Sequence, residues 1–293
     1  MKSLHDFHPL VIFSYFFAVI GLTMFYMHPI LLMISFTGAT VTSFLLLKKS
    51  FLKSIKWLLP FMLVAAILNP LLIHEGETAI LYINEQPITV EAIVYGFAAS
   101  VMLIAIVFWF SAFNAVMTSD KFLYLFTKVS PAVALLISLT MRLVPLFGHQ
   151  IKKIMYAQRA IGMDPSSGSV WHRIKAGTRI LSILISWALE NAIETADSMK
   201  ARGYGLKGRS TFSLFRFDRL DGIALSGIFI LFIIQLLCSY FGWNEFYYYP
   251  TFSPIVWDGP MIFMTISYGI LVSLPIFIEV LEAFKWRSLK SIN

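Results

Sequence analysis

Long uncharged runs alternate with short clusters of charge along the chain. Residues 9–47 contain no Asp, Glu, Lys or Arg, and the same is true of residues 57–74, 92–119, 222–244 and 259–278. A bilayer core about 30 Å thick takes about 20 apolar residues of helix at about 1.5 Å each, so these runs are near or beyond spanning length. The first run holds two spans, because His28-Pro29 lies at its middle and proline starts a helix more readily than it continues one. The pattern therefore predicts six membrane-spanning helices, four before a polar central region and two after it. The run at 57–74 is short and carries Pro60 and Pro70, which predict a kinked or tilted span.

The central region has a different periodicity. Ser130-Pro131 supplies an N-cap and a first helical residue, and the apolar stretch after it, with Arg142 as its lone charge, suits the membrane interface. A second helix is predicted from about His149 to Ala160 and a third from about Trp171 to Arg202, with the turn-rich Asp164-Pro165-Ser166-Ser167-Gly168 between them. In the third, Leu181, Leu184, Ile185, Ala188, Leu189, Ala192, Ile193, Ala196 and Met199 recur at spacings of three and four and form one apolar stripe. Ser186, Glu190, Asn191, Glu194, Asp197 and Ser198 take the other face. Such a helix is too polar to span lipid and too apolar to stand free, so its stripe is expected against another helix. The expected fold is an all-α polytopic membrane protein, divided into residues 1–120 with four spans, 121–219 with interfacial and cytoplasmic helices, and 220–293 with two spans.

Composition agrees with a membrane class and adds an orientation. Apolar residues make up 58% of the 293 positions and charged residues 13%, far from the usual soluble mixture. All 23 Lys and Arg lie at Lys2, within 48–56, within 121–219 or within 285–290. The 74–91 loop holds Glu75, Glu77, Glu85 and Glu91, and the 242–260 loop holds Glu245 and Asp258, with no cation in either. Cytoplasmic loops retain Lys and Arg, which places both termini and the central region in the cytoplasm of a multi-pass plasma-membrane protein. Topology and anionic lipid account for the net charge of +7, and no groove-reading or stacking motif points to nucleic acid. Cys238 is the only cysteine, which excludes an internal disulfide framework. The first span lacks a small-residue cleavage site after it and is expected to be retained.

The second and third central helices are predicted to end alike, at Arg159-Ala160-Ile161-Gly162 and Lys200-Ala201-Arg202-Gly203. Glycine just past a helix end takes the left-handed conformation that closes it, and a cation there complements the helix dipole. One such end is an ordinary stop signal. Two, in a region where 13 basic residues face five acids between positions 141 and 219, favour guanidinium groups that reach carboxylates on a soluble partner.

The stretch Ala157-Gln158-Arg159-Ala160-Ile161-Gly162, followed by Ser198-Met199-Lys200-Ala201-Arg202-Gly203-Tyr204-Gly205, resembles the paired Ala-Arg-Gly motifs of the T component of energy-coupling factor transporters. That component is the membrane scaffold of a class of ATP-driven importers. Upstream, Met141-Arg142-Leu143-Val144-Pro145-Leu146 is similar to the family's Arg-x-x-Pro segment, and Asn69-Pro70-Leu71 with His74-Glu75-Gly76-Glu77-Thr78 extends the likeness to the first outer loop. The resemblance implies two ATP-binding cassette subunits that carry the ATP and Mg, a small substrate-binding membrane subunit resting on the helices, and uptake of a vitamin or a transition-metal ion. It implies no cofactor on this chain. It makes Arg159, Ala160, Gly162, Ala201, Arg202 and Gly203 the docking and coupling residues, with Arg142, Pro145 and Tyr204 in support. The position matching the first motif's arginine is Ile161, so the contact there is either apolar or supplied by Arg159.

Other features fit a scaffold better than an enzyme or carrier. No Walker Gly-x-x-x-x-Gly-Lys-Ser/Thr occurs, and no span has a central charge such as an ion-coupled carrier uses. His5, Asp6 and His8 lack the spacing of a helical metal-ligand pair and read as a polar head-group segment. Asn69 and Gln235 are expected to hydrogen-bond between helices. Trp57, Trp243, Trp257, Trp286 and Tyr247 to Tyr249 fit an aromatic belt at the span ends. An intramembrane enzyme acting on lipid or isoprenoid phosphates is the alternative function, with Glu190, Glu194 and Asp197 as the nearest approach to a Mg²⁺ site.

Overall fold

Helix forms wherever the chain is uncharged over a long run, and the ends of those helices are set by local hydrogen bonds. The computed structural model describes residues 3–83, 86–164, 168–204 and 215–290. Its elements are α1 (Pro9–Phe25), α2 (Pro29–Leu47), α3 (Lys49–Leu72), β1 (Ala79–Ile83), β2 (Gln86–Thr89), α4 (Val90–Val116), α5 (Ser119–Val129), α6 (Pro131–Ala160), α7 (Val170–Ala201), α8 (Arg219–Tyr240) and α9 (Gly259–Lys290), after a 3₁₀ turn at Leu4–Asp6. α1 and α2 start the same way. Each has proline at its first position, where the missing N–H costs nothing, and a preceding histidine whose Nδ1 accepts from the second helical N–H: Leu10 to His8 at 3.2 Å and Ile30 to His28 at 3.3 Å. α2, α4, α8 and α9 contain stretches long and apolar enough to cross a membrane, namely Pro29–Leu47, Val90–Val116, Arg219–Tyr240 and Gly259–Lys285. Pro9–Phe25 and Lys56–Leu72 are apolar but shorter.

The chain divides into two compact units, Met1–Phe122 with Phe215–Asn293, and Leu123–Leu214. In the first, α4 packs on α1, α2 and α3, while α9 packs on α2 and α8. A polar knot ties four of these helices together. Buried Trp109 of α4 donates Nε1–H to Ser35 Oγ of α2 at 3.1 Å, Ser35 meets Thr23 of α1 at 2.6 Å, and Thr23 meets the Tyr268 hydroxyl of α9 at 3.2 Å. A second tie uses Gln235 of α8, whose Nε2 donates to Met264 O at 3.2 Å and Ser267 Oγ at 2.7 Å while its Oε1 accepts from the Tyr26 hydroxyl at 3.1 Å. With no water in the bilayer core, such groups must satisfy one another. The interhelical role expected of Gln235 is present. Asn69 differs: its Cβ side faces Gly96, and its Oδ1 is buried with no hydrogen-bond partner among the described residues.

Several local expectations need correction. The basic stretch read as a loop at 48–56 is mostly the first two turns of α3, entered through a single-residue corner at Lys48 with φ 43°. The 74–91 loop contains a two-stranded antiparallel hairpin, with Tyr82 opposite Pro87 and Ala79 opposite Thr89, an addition that leaves the fold all-α in class. Tyr248 is no belt residue. It is buried, donates to Met27 O at 2.9 Å and lies edge-on to Tyr95 at 5.4 Å, pinning the α8–α9 loop to the α1–α2 turn. Burial first, and then neighbouring Tyr95, push its phenol up to about 12. Trp57 and Trp257 are exposed, as a belt requires, and the side chain of Trp286 lies outside those described.

Candidate functional site

The second unit is built on α6 and α7. The two helices predicted at residues 131–147 and 149–160 are one continuous helix, α6. Pro145 lies inside it, where it removes only the N–H that would have reached the Met141 carbonyl. Its strong apolar periodicity on both sides of the proline carries the helix through. α7 runs antiparallel to α6: Leu135, Ser138, Leu139 and Arg142 share a groove with Asn191, Glu194, Thr195, Ser198, Met199, Arg202 and Tyr204, and further along Phe147 meets Trp187 edge-on at 5.7 Å. The groove has a volume of about 460 Å³. Two guanidinium groups and one carboxylate line it together with hydroxyls from Ser138, Thr195, Ser198 and Tyr204, so it offers an anion a positively charged, donor-rich wall.

Both helix ends close identically. Gly162 has φ +79° and Gly203 φ +76°, the left-handed region that a side chain would strain. At the α6 end Gly162 N–H donates to Arg159 O at 3.0 Å and Met163 N–H to Gln158 O at 2.9 Å; at the α7 end Gly203 N–H donates to Lys200 O at 2.9 Å and Tyr204 N–H to Met199 O at 3.1 Å. These are paired Schellman closures that satisfy the last carbonyls and fix where Arg159 and Arg202 sit. The two ends are not neighbours. Arg202 stands beside Arg142, and Arg159 lies 17 residues further along α6, about 25 Å at helical rise. They also differ in chemistry: at the α6 end Arg159 Nε pairs with Asp164 at 3.1 Å and the cap residue, Ile161, is 65% exposed, whereas the cap residue of α7 is Arg202.

Comparison with known proteins adds the family. The CbiQ family model, described as Cobalt transport protein, matches residues 1–214. The chain belongs to the CbiQ family. Among curated relatives of this CbiQ chain, the energy-coupling factor transporter transmembrane protein EcfT of Lacticaseibacillus paracasei is 36% identical over 106 residues, 36% of this chain and 40% of the relative. EcfT of Lactobacillus helveticus is 39% identical over 106 residues, 36% of this chain and 38% of the relative. EcfT of Bacillus subtilis is 35% identical over 100 residues, 34% of this chain and 38% of the relative. The matched stretch thus spans about two fifths of these relatives. The likeness to T components of energy-coupling factor transporters read from residues 157–205 is borne out at the level of family.

Around this CbiQ site the structure also shows what the sequence pattern missed. The stripe predicted to pack is half outward: Leu181, Ile185, Leu189 and Ile193, one row at every fourth residue, are exposed, with Leu189 at 63% and Ile193 at 65%. The buried or half-buried face of α7 is Ala176, Ile180, Leu184, Trp187, Ala188, Asn191, Thr195 and Met199, which keeps Leu184, Ala188 and Met199 of the predicted stripe and takes in Asn191, assigned to solvent. The signal was available, since 191, 195, 198 and 202 fall on one helical row that ends at Arg202. Of the predicted set, Arg142, Arg202 and Tyr204 meet in the groove; Pro145 lies one turn from it on α6; Arg159, Ala160 and Gly162 belong to the far end; Ala201 and Gly203 flank Arg202. Gly205 of the second motif and residues 165–167 of the turn lie outside the described residues. Glu190, Glu194 and Asp197 do not form a metal site: Glu194 lines the groove, Asp197 lies 4.0 Å from Lys200, and among the described residues no three His, Cys, Asp or Glu side chains are placed to hold a metal ion. His5, Asp6 and His8 are engaged separately, by Lys121 at the His5 carbonyl, by Ser3 at the Asp6 carboxylate and by Leu10 at the His8 ring.

Proposed function

We propose that this chain is the membrane scaffold of an ATP-driven importer, joining two ATP-binding cassette subunits in the cytoplasm to a small substrate-binding subunit in the membrane. The observation that carries the reading is the pair of identically closed helix ends held apart on one antiparallel pair, one of them presenting Arg202 on a donor-rich groove. Each end is a separate rigid contact for one ATPase subunit. The exposed row Leu181, Ile185, Leu189 and Ile193 offers the apolar face on which a hydrophobic subunit rests. Closing of the ATPases on ATP and Mg moves the two ends, and the α6–α7 pair passes that movement to the subunit lying on it. The chain supplies mechanical coupling and no bond-making step. Both termini and the Leu123–Leu214 unit lie in the cytoplasm on this reading, as the placement of Lys and Arg requires. The cargo is a vitamin or a transition-metal ion, chosen by the substrate-binding subunit.

The test is Arg202→Glu in the reconstituted complex. Reversing the charge places a carboxylate where an acidic groove on the ATPase is expected, a like-charge contact that costs several kcal/mol. ATP-driven uptake should fall at least about a hundredfold, and ATPase subunits should no longer copurify, while the chain still inserts in the membrane. Uptake at the wild-type rate would remove Arg202 from the coupling path.

A further inference from the structure

Buried charge is rare among the described residues, and two of its three instances hold one segment. Among the described residues Lys121 is the one buried Lys or Arg, at 7% exposure, and Glu91 and Asp221 are the buried acids, Asp221 at 0%. Glu91 is bound by Thr78 at the hairpin. The other two hold the same short segment. Lys121 Nζ donates to the His5 carbonyl at 2.7 Å and to the Val116 carbonyl at 3.1 Å. Asp221 Oδ1 accepts from the His8 N–H at 3.1 Å and its Oδ2 from the Asp218 N–H at 3.0 Å. The His8 ring also lies edge-on to Phe217 at 5.2 Å.

The positions of these ties along the chain give them a role. The chain leaves the membrane unit after Phe122 and returns to it at Phe215. Lys121 is the residue before the exit, and Asp218 and Asp221 open the helix that follows the return. His5 and His8 are three residues apart, so the carbonyl held at the exit and the N–H held at the return are separated by no more than about 11 Å of backbone. A buried ammonium or carboxylate keeps its charge only when hydrogen-bonded, and each is committed here to backbone atoms of defined position, which a packing contact alone would not require.

We propose that Ser3–His8 is a clasp that sets the spacing of the two roots of the Leu123–Leu214 unit, with Lys121 and Asp221 as its positioning residues. The proposal rests on the scaffold function above for its consequence: with the roots held, movement imposed on α6 and α7 reaches the membrane subunit, and with the roots free it is dissipated as splaying.

Two measurements on the full chain separate the clasp from that function. In nanodiscs, with Cys238→Ser and spin labels on Asp120→Cys and Arg216→Cys, the inter-label distance distribution should be narrow; Lys121→Met should broaden it, Asp221→Asn should broaden it less, and Lys121→Arg should restore it. In proteoliposomes holding the ATPases and the substrate subunit, Lys121→Met should lower uptake per ATP hydrolysed about tenfold, the loss expected when a charge-assisted hydrogen bond is removed, with ATPase turnover retained. An unchanged distribution in both variants, or uptake and ATPase falling together with the yield of folded chain, overturns the clasp. Failure of the ATPases to bind wild-type chain would overturn the scaffold function instead, leaving the distance measurement to decide the clasp by itself.

Discussion

At two crossings the absence of a side chain lets helices meet, and the neighbouring atoms decide how costly a methyl group would be. A Cβ at Gly38 of α2 would overlap the Val272 side chain of α9 and come 3.6 Å from Trp109. A Cβ at Gly96 of α4 would stand 2.7 Å from the Ala66 carbonyl and 2.9 Å from the Asn69 Cβ of α3. A valine side chain can be trimmed and a backbone carbonyl cannot. Gly38→Ala should therefore lower the thermal midpoint in detergent by an amount equivalent to about 1–3 kcal/mol, and adding Val272→Ala should recover most of it. Gly96→Ala should cost a similar amount with no recovery from Asn69→Ala, because the carbonyl clash persists. Glycines at positions 162 and 203 could be read from the sequence as helix closures, since a basic residue followed by glycine is a local signal. The glycines at 38 and 96 could not, because their partners lie on other helices.

Hydrogen bonds between elements set the register of α1, α8 and α9. Gln235→Leu removes the side-chain acceptor of Tyr26, whose hydroxyl keeps only the residue 235 carbonyl at 3.1 Å, and removes the donor to Met264 O and Ser267 Oγ. Interhelical bonds in membranes are worth about 0.6 kcal/mol on average and up to about 1.7, so the loss should be about 1–2 kcal/mol, read as a lower midpoint. Gln235→Glu, which keeps the shape, serves as the comparison. At this scale the uncharged runs disclosed each apolar helix, because lipid demands continuity of apolar residues. They did not disclose the extent of α6, since Gly148, between the stretches 131–147 and 149–160, is a poor helix former locally, and its cost is outweighed by thirty residues of shared helix. Nor did they disclose the hairpin at Ala79–Thr89, whose pairing depends on where the chain turns back and not on any run of one residue type.

For the molecule as a whole, the division of labour on α7 is the feature with most consequence. The face turned to α6 carries Asn191, Thr195 and Met199, and the face turned away carries Leu189 and Ile193. A stripe analysis of one helix finds apolar residues but cannot say which neighbour they await, so the sequence disclosed Arg202 at the helix end more readily than the outward apolar row. Leu189→Glu with Ile193→Glu should reduce copurification of a small membrane subunit at least about tenfold, as measured by mass spectrometry of the purified complex, while ATPase subunits remain bound; loss of both partners together would count against separate faces. The two ends of the α6–α7 pair, alike in backbone, differ at the cap: an arginine closes one, and an isoleucine beside the Arg159–Asp164 pair closes the other. Such a scaffold is keyed. On the scaffold function proposed above, two different ATPases would mount on it in one orientation only, each sorted by the socket that suits it, whereas two copies of a single ATPase would have to recognise both sockets with the same groove.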